Sequence, residues 1–278
     1  MRIPNRKFLI VLACVSGAAL TLEAQPSPSL DVVLERFRAY LTAYSDAYSA
    51  TVATERYRQL SAGQRVNLES EFAMVRVPGS DEWLGFRDVL RLNGRDVTQR
   101  AGRLADLFAN PAGLSLGAAA RIAEESARFN IGSARRTVNN PAMVLEMFRP
   151  RHHPRFRFQL GGEERMAGRR AVVVRVVEHA TPTIVRSRAG DDEPIDGQLW
   201  IDPDHGTLLR ADLRIKVSAM TRESLDLDVT FGFEKALQMW VPVRMRERYW
   251  IGGGQTHTGD ATYVDYRQFV VQSRILPP

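Results

Sequence analysis

The sequence predicts an α+β protein built on a curved antiparallel sheet, a half-barrel with an N-terminal helix and short covering helices. Apolar and polar residues alternate through 209–217 and 225–233, which is typical of strands with one dry and one wet face. Neighbouring strands are separated by short turns, and this favours an antiparallel meander. The middle of the chain, about 98–149, carries helical patterns instead and predicts a lid over the sheet.

The N-terminus predicts export. Three basic residues within the first seven precede an apolar run over 8–22, and the small residue Ala24 follows it. This order of charge, apolar run and small residue is that of a secretory signal peptide. We therefore expect residues 1–24 to be a signal peptide and 25–278 to form a single α+β domain that is periplasmic or secreted.

Cys14 gives an alternative reading of the same segment. It ends the phrase Val-Leu-Ala-Cys, which resembles a lipobox, and a lipidated Cys14 would attach the protein to a membrane. Only in that case do we expect membrane association. As the single cysteine in 278 residues, it excludes a disulfide scaffold and a Cys-ligated cluster.

Composition and charge exclude further classes. The chain is 44% hydrophobic and 25% charged, which is ordinary for a globular protein. Its 38 Lys and Arg residues are interspersed with 32 Asp and Glu residues. Nucleic-acid binding requires a concentrated basic face, so we expect no nucleic-acid partner.

The first element is an amphipathic helix. Apolar residues recur at steps of three or four from Leu30 to Tyr48, and Ser29 is a suitable N-cap. Tyr40, Tyr44 and Tyr48 form a ladder on this helix, which we interpret as packing toward the core, although a binding strip is the alternative.

The period then changes to two. Asn93-Gly94 is the strongest hairpin signal in the chain, since both positions tolerate a positive φ. We expect strands over 49–60, 66–77 and 83–92, with Leu84, Phe86, Leu90 and Leu92 on one face of the third. After the lid, strands are expected from Phe156, over 171–179, 209–217, 225–233, 240–250 and 259–272, about nine in all.

Candidate catalytic and metal sites are weak. His152 and His153 lie between two prolines, where we expect a solvated loop. The paired carboxylates fall on a polar helix face or in loops, and no nucleotide-binding, hydrolase or metalloprotease signature is present. We expect no enzyme activity, no catalytic residue, no cofactor and no metal.

Three C-terminal phrases carry a resemblance to a known family. They are Gly197-Gln-Leu-Trp-Ile-Asp-Pro203, Leu237-Gln-Met-Trp-Val-Pro-Val243 and Met245-Arg-Glu-Arg-Tyr249. They look like phrases of uncharacterised exported bacterial proteins of the periplasmic lipoprotein-carrier (LolA/LolB-like) superfamily, and the order of elements over 30–272 is similar. The resemblance implies an unclosed barrel whose apolar face holds acyl chains under helices. It brings no catalytic residues.

This resemblance and the apolar pattern suggest a ligand site. The strand at 172–177 is apolar on both faces, and the C-terminal strands are rich in tryptophan. We expect an apolar groove for a lipid or an acylated partner, bordered by Trp200, Trp240, Val172, Val174, Val176, Leu104, Phe108 and Leu145. The alternative is an envelope interaction or sensor protein with a filled core and no small ligand.

The signal-peptide reading makes a direct prediction. If the exported chain is cleaved after Ala24, N-terminal sequencing of the mature protein begins at Gln25. A mature protein that begins at a diacylated Cys14 would contradict this and would make the protein membrane-anchored.

Overall fold

The computed structural model describes one open antiparallel sheet of eleven strands with few helices. This confirms the predicted fold class. The described residues are 28–48, 51–76, 83–97, 124, 127–132, 140–187, 189–218, 223–251 and 254–268. The expected signal peptide at 1–24 and most of the expected lid lie outside them. No helix among the described residues is long and apolar enough to cross a bilayer.

The strands form two meanders that are joined by one long-range pairing. Spatial order runs β4-β3-β2-β1-β11-β10-β9-β8-β7-β6-β5, so β1 and β11 are neighbours. The helices are α1 (Leu30–Ala47) and α2 (Met143–Met147), with a 3₁₀ turn at Pro150–Arg155. The strands are β1 (Thr51–Ser61), β2 (Gln64–Arg76), β3 (Trp83–Leu92), β4 (Arg95–Asp96), β5 (Phe156–Met166), β6 (Arg169–Glu178), β7 (Ile195–Ile201), β8 (Leu208–Ser218), β9 (Glu223–Glu234), β10 (Met239–Ile251) and β11 (Gln255–Gln268).

Two strands were not expected from the sequence. β4 is only two residues long and completes the hairpin whose turn residues Asn93 and Gly94 have φ values of 50° and 78°. β7 is interrupted by Gly197, which weakens its alternating pattern. This glycine lets β7 approach β8 closely, because an added Cβ would lie 2.2 Å from the Asp212 carbonyl oxygen.

One face of the sheet, the core face, carries a large apolar core. α1 and α2 contribute to this core with alternate residues from β1, β2 and β5–β11. The apolar side chains of α1 are buried as predicted. The Ser29 hydroxyl accepts a hydrogen bond from the Val32 amide at 3.4 Å. α1 also meets the loop between β7 and β8, since a Cβ at Gly206 would lie 2.2 Å from the Arg36 carbonyl carbon.

The prediction that the apolar residues of β3 share one face is wrong. On β2, Phe72 points into the core, and Ser70 lies on the same face. Arg87 and Val89 of β3 lie opposite these two residues and therefore also face the core. A bulge beside Ser70 then brings Leu92 opposite Leu68. Phe86, the strand neighbour of Arg87, therefore points away from the core whereas Leu92 points toward it, because the bulge shifts the alternation of β3.

The prediction of a solvated loop is wrong for His153. Its side chain lies beneath α1 and is only 5% exposed. Nδ1 accepts from Arg38 Nε at 3.1 Å, and Nε2 lies 2.8 Å from the Phe148 carbonyl oxygen, to which it donates. Burial, opposed by the Phe148 contact and assisted by the Arg38 charge, lowers the pKa of His153 to about 4.

His153 should make folding stability depend on pH. The unfolded chain binds a proton below the ordinary pKa of 6.5, whereas the folded chain takes it up only near pH 4. Stability is therefore fully present above pH 6.5 and lost as the pH falls toward 4, by about 2 kcal/mol at about pH 5. In urea melts, His153→Gln should remove this part of the pH dependence.

The control is the exposed His179, where His179→Gln should leave the pH dependence of unfolding as it is in the wild type. Gln at 153 retains a donor and an acceptor for Phe148 and Arg38, so its overall cost is kept small. An unchanged pH dependence in His153→Gln would contradict the assignment.

Candidate functional site

Four of the predicted ligand residues lie together on the core face. Val172, Val174 and Val176 point into the core from β6, and Leu145 reaches the same core from α2. None of these four side chains is more than 4% exposed. They belong to the apolar half of the core face, which we define as the core-side residues of β5–β9 with α2.

The two predicted tryptophans are placed differently. Trp200 lies opposite Val173 and forms a second cluster with Ala171 and Leu209, apart from the main core. Its indole Nε1 donates to Glu164 Oε2 at 2.9 Å. Consecutive strand residues point to opposite faces, so Trp200 does not join Val172, Val174 and Val176.

Trp240 is partly buried and packs against both clusters. The Arg169 guanidinium lies 5.6 Å from its ring centre. Leu104 and Phe108 lie outside the described residues. The structure thus brings together only part of the predicted set, and a shared cavity stays a prediction.

A buried polar cluster occupies the other half of the core face. It consists of Glu55 and Tyr57 on β1, Arg87 on β3, Glu247 and Tyr249 on β10, and Tyr263 on β11. All six are between 0 and 6% exposed. Buried charges are costly unless they are paired and hydrogen-bonded. Here Glu55 and Arg87 are paired with each other, and Glu247 accepts hydrogen bonds from two phenols.

Glu55 and Arg87 form the central ion pair. Arg87 Nη2 donates to Glu55 Oε1 at 2.7 Å, and Nε donates to Oε2. The guanidinium also lies 4.6 Å from the centre of the Tyr57 ring. Burial alone would lower the pKa of Arg87, but the Glu55 carboxylate outweighs burial and raises it.

Glu247 is held by phenols. Tyr57 donates its hydroxyl to Glu247 Oε1, and Tyr249 donates to Oε2 at 3.1 Å. Gly259, the residue opposite Glu247 on β11, makes room for the carboxylate, because a Cβ there would lie 2.4 Å from Oε1. Burial and the charge of Glu55 raise the pKa of Tyr263, so this phenol keeps its proton.

A short described segment covers the neighbouring end of β1. The Gln59 amide donates to the Phe129 carbonyl oxygen at 3.1 Å and accepts from the Ile131 amide at 3.1 Å. Gly132 follows, with a φ of +90°, and a Cβ there would lie 2.6 Å from Ser61 Oγ. The covering segment is thus held by directional polar contacts on the core face.

Little in the residue pattern indicates this buried polar cluster. Glu55 and Glu247 lie among arginines in strands that carry charged residues on both faces. The alternation of polar and apolar residues therefore does not identify which face of the strand is buried. Glycine within β11 was the available signal, since a strand glycine marks a close approach. The resulting core face is apolar at one end and carries phenols and paired charges at the other, which is the polarity of an amphiphile.

Comparisons with known proteins give only distant likenesses. No family model matches the chain, and no curated protein matches it. A Vibrio parahaemolyticus domain named as an outer membrane lipoprotein-sorting protein is 13% identical, with a TM-score of 0.44, over 84% of this chain and 91% of that one. A DUF1329 family protein from Desulfovibrio piger is 10% identical, with a TM-score of 0.44, over 87% and 94%.

A third likeness is to a LolA superfamily protein from Nitrosomonas europaea, 11% identical with a TM-score of 0.34 over 88% of this chain and 96% of that one. The third name is that of the superfamily that the C-terminal phrases resemble. At such identities and TM-scores, none of the three likenesses transfers a function or a site to this chain.

The Glu55–Arg87 pair makes a testable prediction about stability. Arg87→Met leaves Glu55 buried without its main partner and should lower the free energy of unfolding by about 3–5 kcal/mol. The double variant Glu55→Leu with Arg87→Met should recover a large part of this loss, since no buried charge is left uncompensated.

The matched control is the bidentate pair between Arg170 and Glu163, whose side chains are 25% and 35% exposed. Arg170→Met should cost much less than Arg87→Met, because solvent screens this exposed pair. Equal losses for Arg87→Met and Arg170→Met in urea melts would show that the inner pair is not central to the fold.

Proposed function

We propose that this chain is a non-enzymatic, exported protein of the cell envelope that binds a lipid or an acylated partner protein on its core face. The supporting observation is the polarity of that face, with an apolar half next to a buried polar cluster. Acyl chains end on esters or head groups, so a ligand of this class has the same division between apolar and polar parts.

The covering elements are suited to such a ligand. α2 is five residues long, with Val144, Leu145 and Met147 buried against the core. Short helices depend on tertiary packing for stability. An acyl chain that offers equivalent apolar contacts to the core can therefore displace α2 from it. Each buried methylene contributes about 0.8 kcal/mol, which lets a long chain offset the cost of moving α2.

A second candidate is an envelope interaction or sensor protein with a filled core and no small ligand. It is favoured by the burial of Val174 and Val176, both 0% exposed within the main core. Protein interiors normally leave few voids larger than a water molecule, and in this reading the same residues are purely structural.

Ligand titration distinguishes the two candidates. We expect a fluorescent long-chain fatty acid or phospholipid to quench tryptophan emission saturably at micromolar concentrations. Val176→Phe narrows the core face and should weaken binding about 10-fold, at a stability cost of about 1–3 kcal/mol. Val177→Phe is the matched control, since Val177 points to the other face and is 47% exposed.

Absence of saturable binding to the wild type, or equal effects of the two substitutions, would overturn the lipid proposal in favour of the filled-core protein. Mass spectrometry of organic extracts from natively purified protein provides an independent readout, with a co-purified acyl lipid as the expected result.

A further inference from the structure

The face of the sheet opposite the core, which we call the outer face, carries an ordered array of charges. One row crosses five strands through directly paired positions, from Arg58 on β1 to Asp260, Arg246, Asp228 and Asp212 on β8. Paired residues in neighbouring strands lie close enough for their side chains to interact. The row is basic toward β1 and acidic toward β8.

A depression of about 590 Å³ follows this row. Arg58 and Arg65 line it on the side of β1 and β2, and Arg246 and Arg248 line it from β10. Four aspartates also line it, Asp212, Asp226, Asp228 and Asp260. The depression is open and lies on the face away from α1 and α2.

Some cations of the outer face are already engaged. Arg244 binds Asp260 through two contacts, at 2.6 and 3.1 Å. Arg210 Nε donates to the Asp228 carboxylate at 2.7 Å. Arg214 Nε donates to Asp226 at 2.7 Å, so three of the four aspartates that line the depression are engaged.

The arginines that line the depression are less engaged. Arg58 lies 3.7 Å and Arg246 lies 4.0 Å from Asp260, an aspartate already held by Arg244. Their side chains are 61% and 54% exposed. Arg248 lies opposite Asp226, whose pKa its charge helps to lower, and its guanidinium lies 5.7 Å from the centre of the Trp250 ring. Because Arg210, Arg214 and Arg244 engage three of the lining aspartates, the four lining arginines are the less neutralised charges of the depression.

The spacing of these cations fits an extended acidic chain. Arg246 and Arg248 are two residues apart on one strand, so their side chains emerge on one face about 6.6–7 Å apart. Carboxylates at alternate positions of an extended peptide have the same repeat. An anionic bilayer presents phosphates across the whole face and meets Asp212 and Asp226 as well, which opposes docking, whereas a peptide places uncharged residues there.

We propose that this depression is the docking site for an extended acidic segment of a partner protein. Carboxylates of that segment pair with Arg58, Arg65, Arg246 and Arg248. Trp250, 40% exposed at the same end of β10, adds apolar contact beside the arginines. The site lies on the opposite face from the proposed lipid ligand, so either proposal can fail without the other.

The probe is a fluorescent octapeptide of alternating Glu and Thr, with Gln replacing Glu in the control peptide. Fluorescence anisotropy with the full chain should show saturable binding of the acidic peptide that weakens as salt rises from about 50 to about 200 mM. The double variant Arg246→Gln with Arg248→Gln should weaken binding about 10-fold or more. Arg175→Gln is the matched control, an exposed arginine of β6 outside the depression.

Three results would overturn the proposal. They are no saturable binding of the acidic peptide below about 1 mM at low salt, equal weakening by Arg175→Gln, or equal binding of the Gln peptide. Vesicles containing phosphatidylglycerol form the second arm. Vesicle binding that requires Arg246 and Arg248, without peptide binding, would assign the depression to a membrane surface and also overturn the proposal. Circular dichroism melts confirm that the variants are folded.

Discussion

The pairing of β1 with β11 is the constraint on which the rest of the structure depends. It joins the N-terminal hairpins to the C-terminal meander and turns two small sheets into one. On the core side it places Glu55 and Tyr57 next to Tyr263 and, one strand further, Glu247. On the outer side it sets Arg58 beside Asp260. Both candidate sites are therefore products of the same register.

The two faces of this sheet differ in whether their charged side chains are buried or exposed to solvent. On the core face, the Glu55 and Arg87 charges are paired at close range and removed from water, so they order the fold around them. On the outer face, arginines such as Arg246 remain in solvent and interact at longer distances. Solvated charges add little to stability, and this leaves them available for association with other molecules.

Sequence patterns identified the elements whose two faces differ most. β8 and β9 alternate cleanly and were predicted almost to the residue, as were α1 and the Asn93-Gly94 turn. Where polar side chains are buried, the pattern fails. The apolar residues of β3 were expected to share one face, but a bulge divides them and Arg87 points inward. His153 was expected in solvent because its partners Arg38 and Phe148 come from other elements. Of the site, Val172, Val174, Val176 and Leu145 could be foreseen to share one core, whereas the buried polar cluster depends on contacts across four strands that no local pattern records.

The position of β1 has a consequence for how the chain matures. Paired residues of β1 and β11 differ in number by at least 196, from Ser61 to His257. One edge of β1 therefore has no partner until nearly the whole polypeptide has been synthesised, and topologies with such distant contacts fold slowly. A chain emerging from the ribosome would remain loosely organised until its C-terminal strand appears. Under the envelope location that we propose, passage through a pore that admits only unfolded chains would precede this last pairing, and late closure of the sheet is compatible with that order of events.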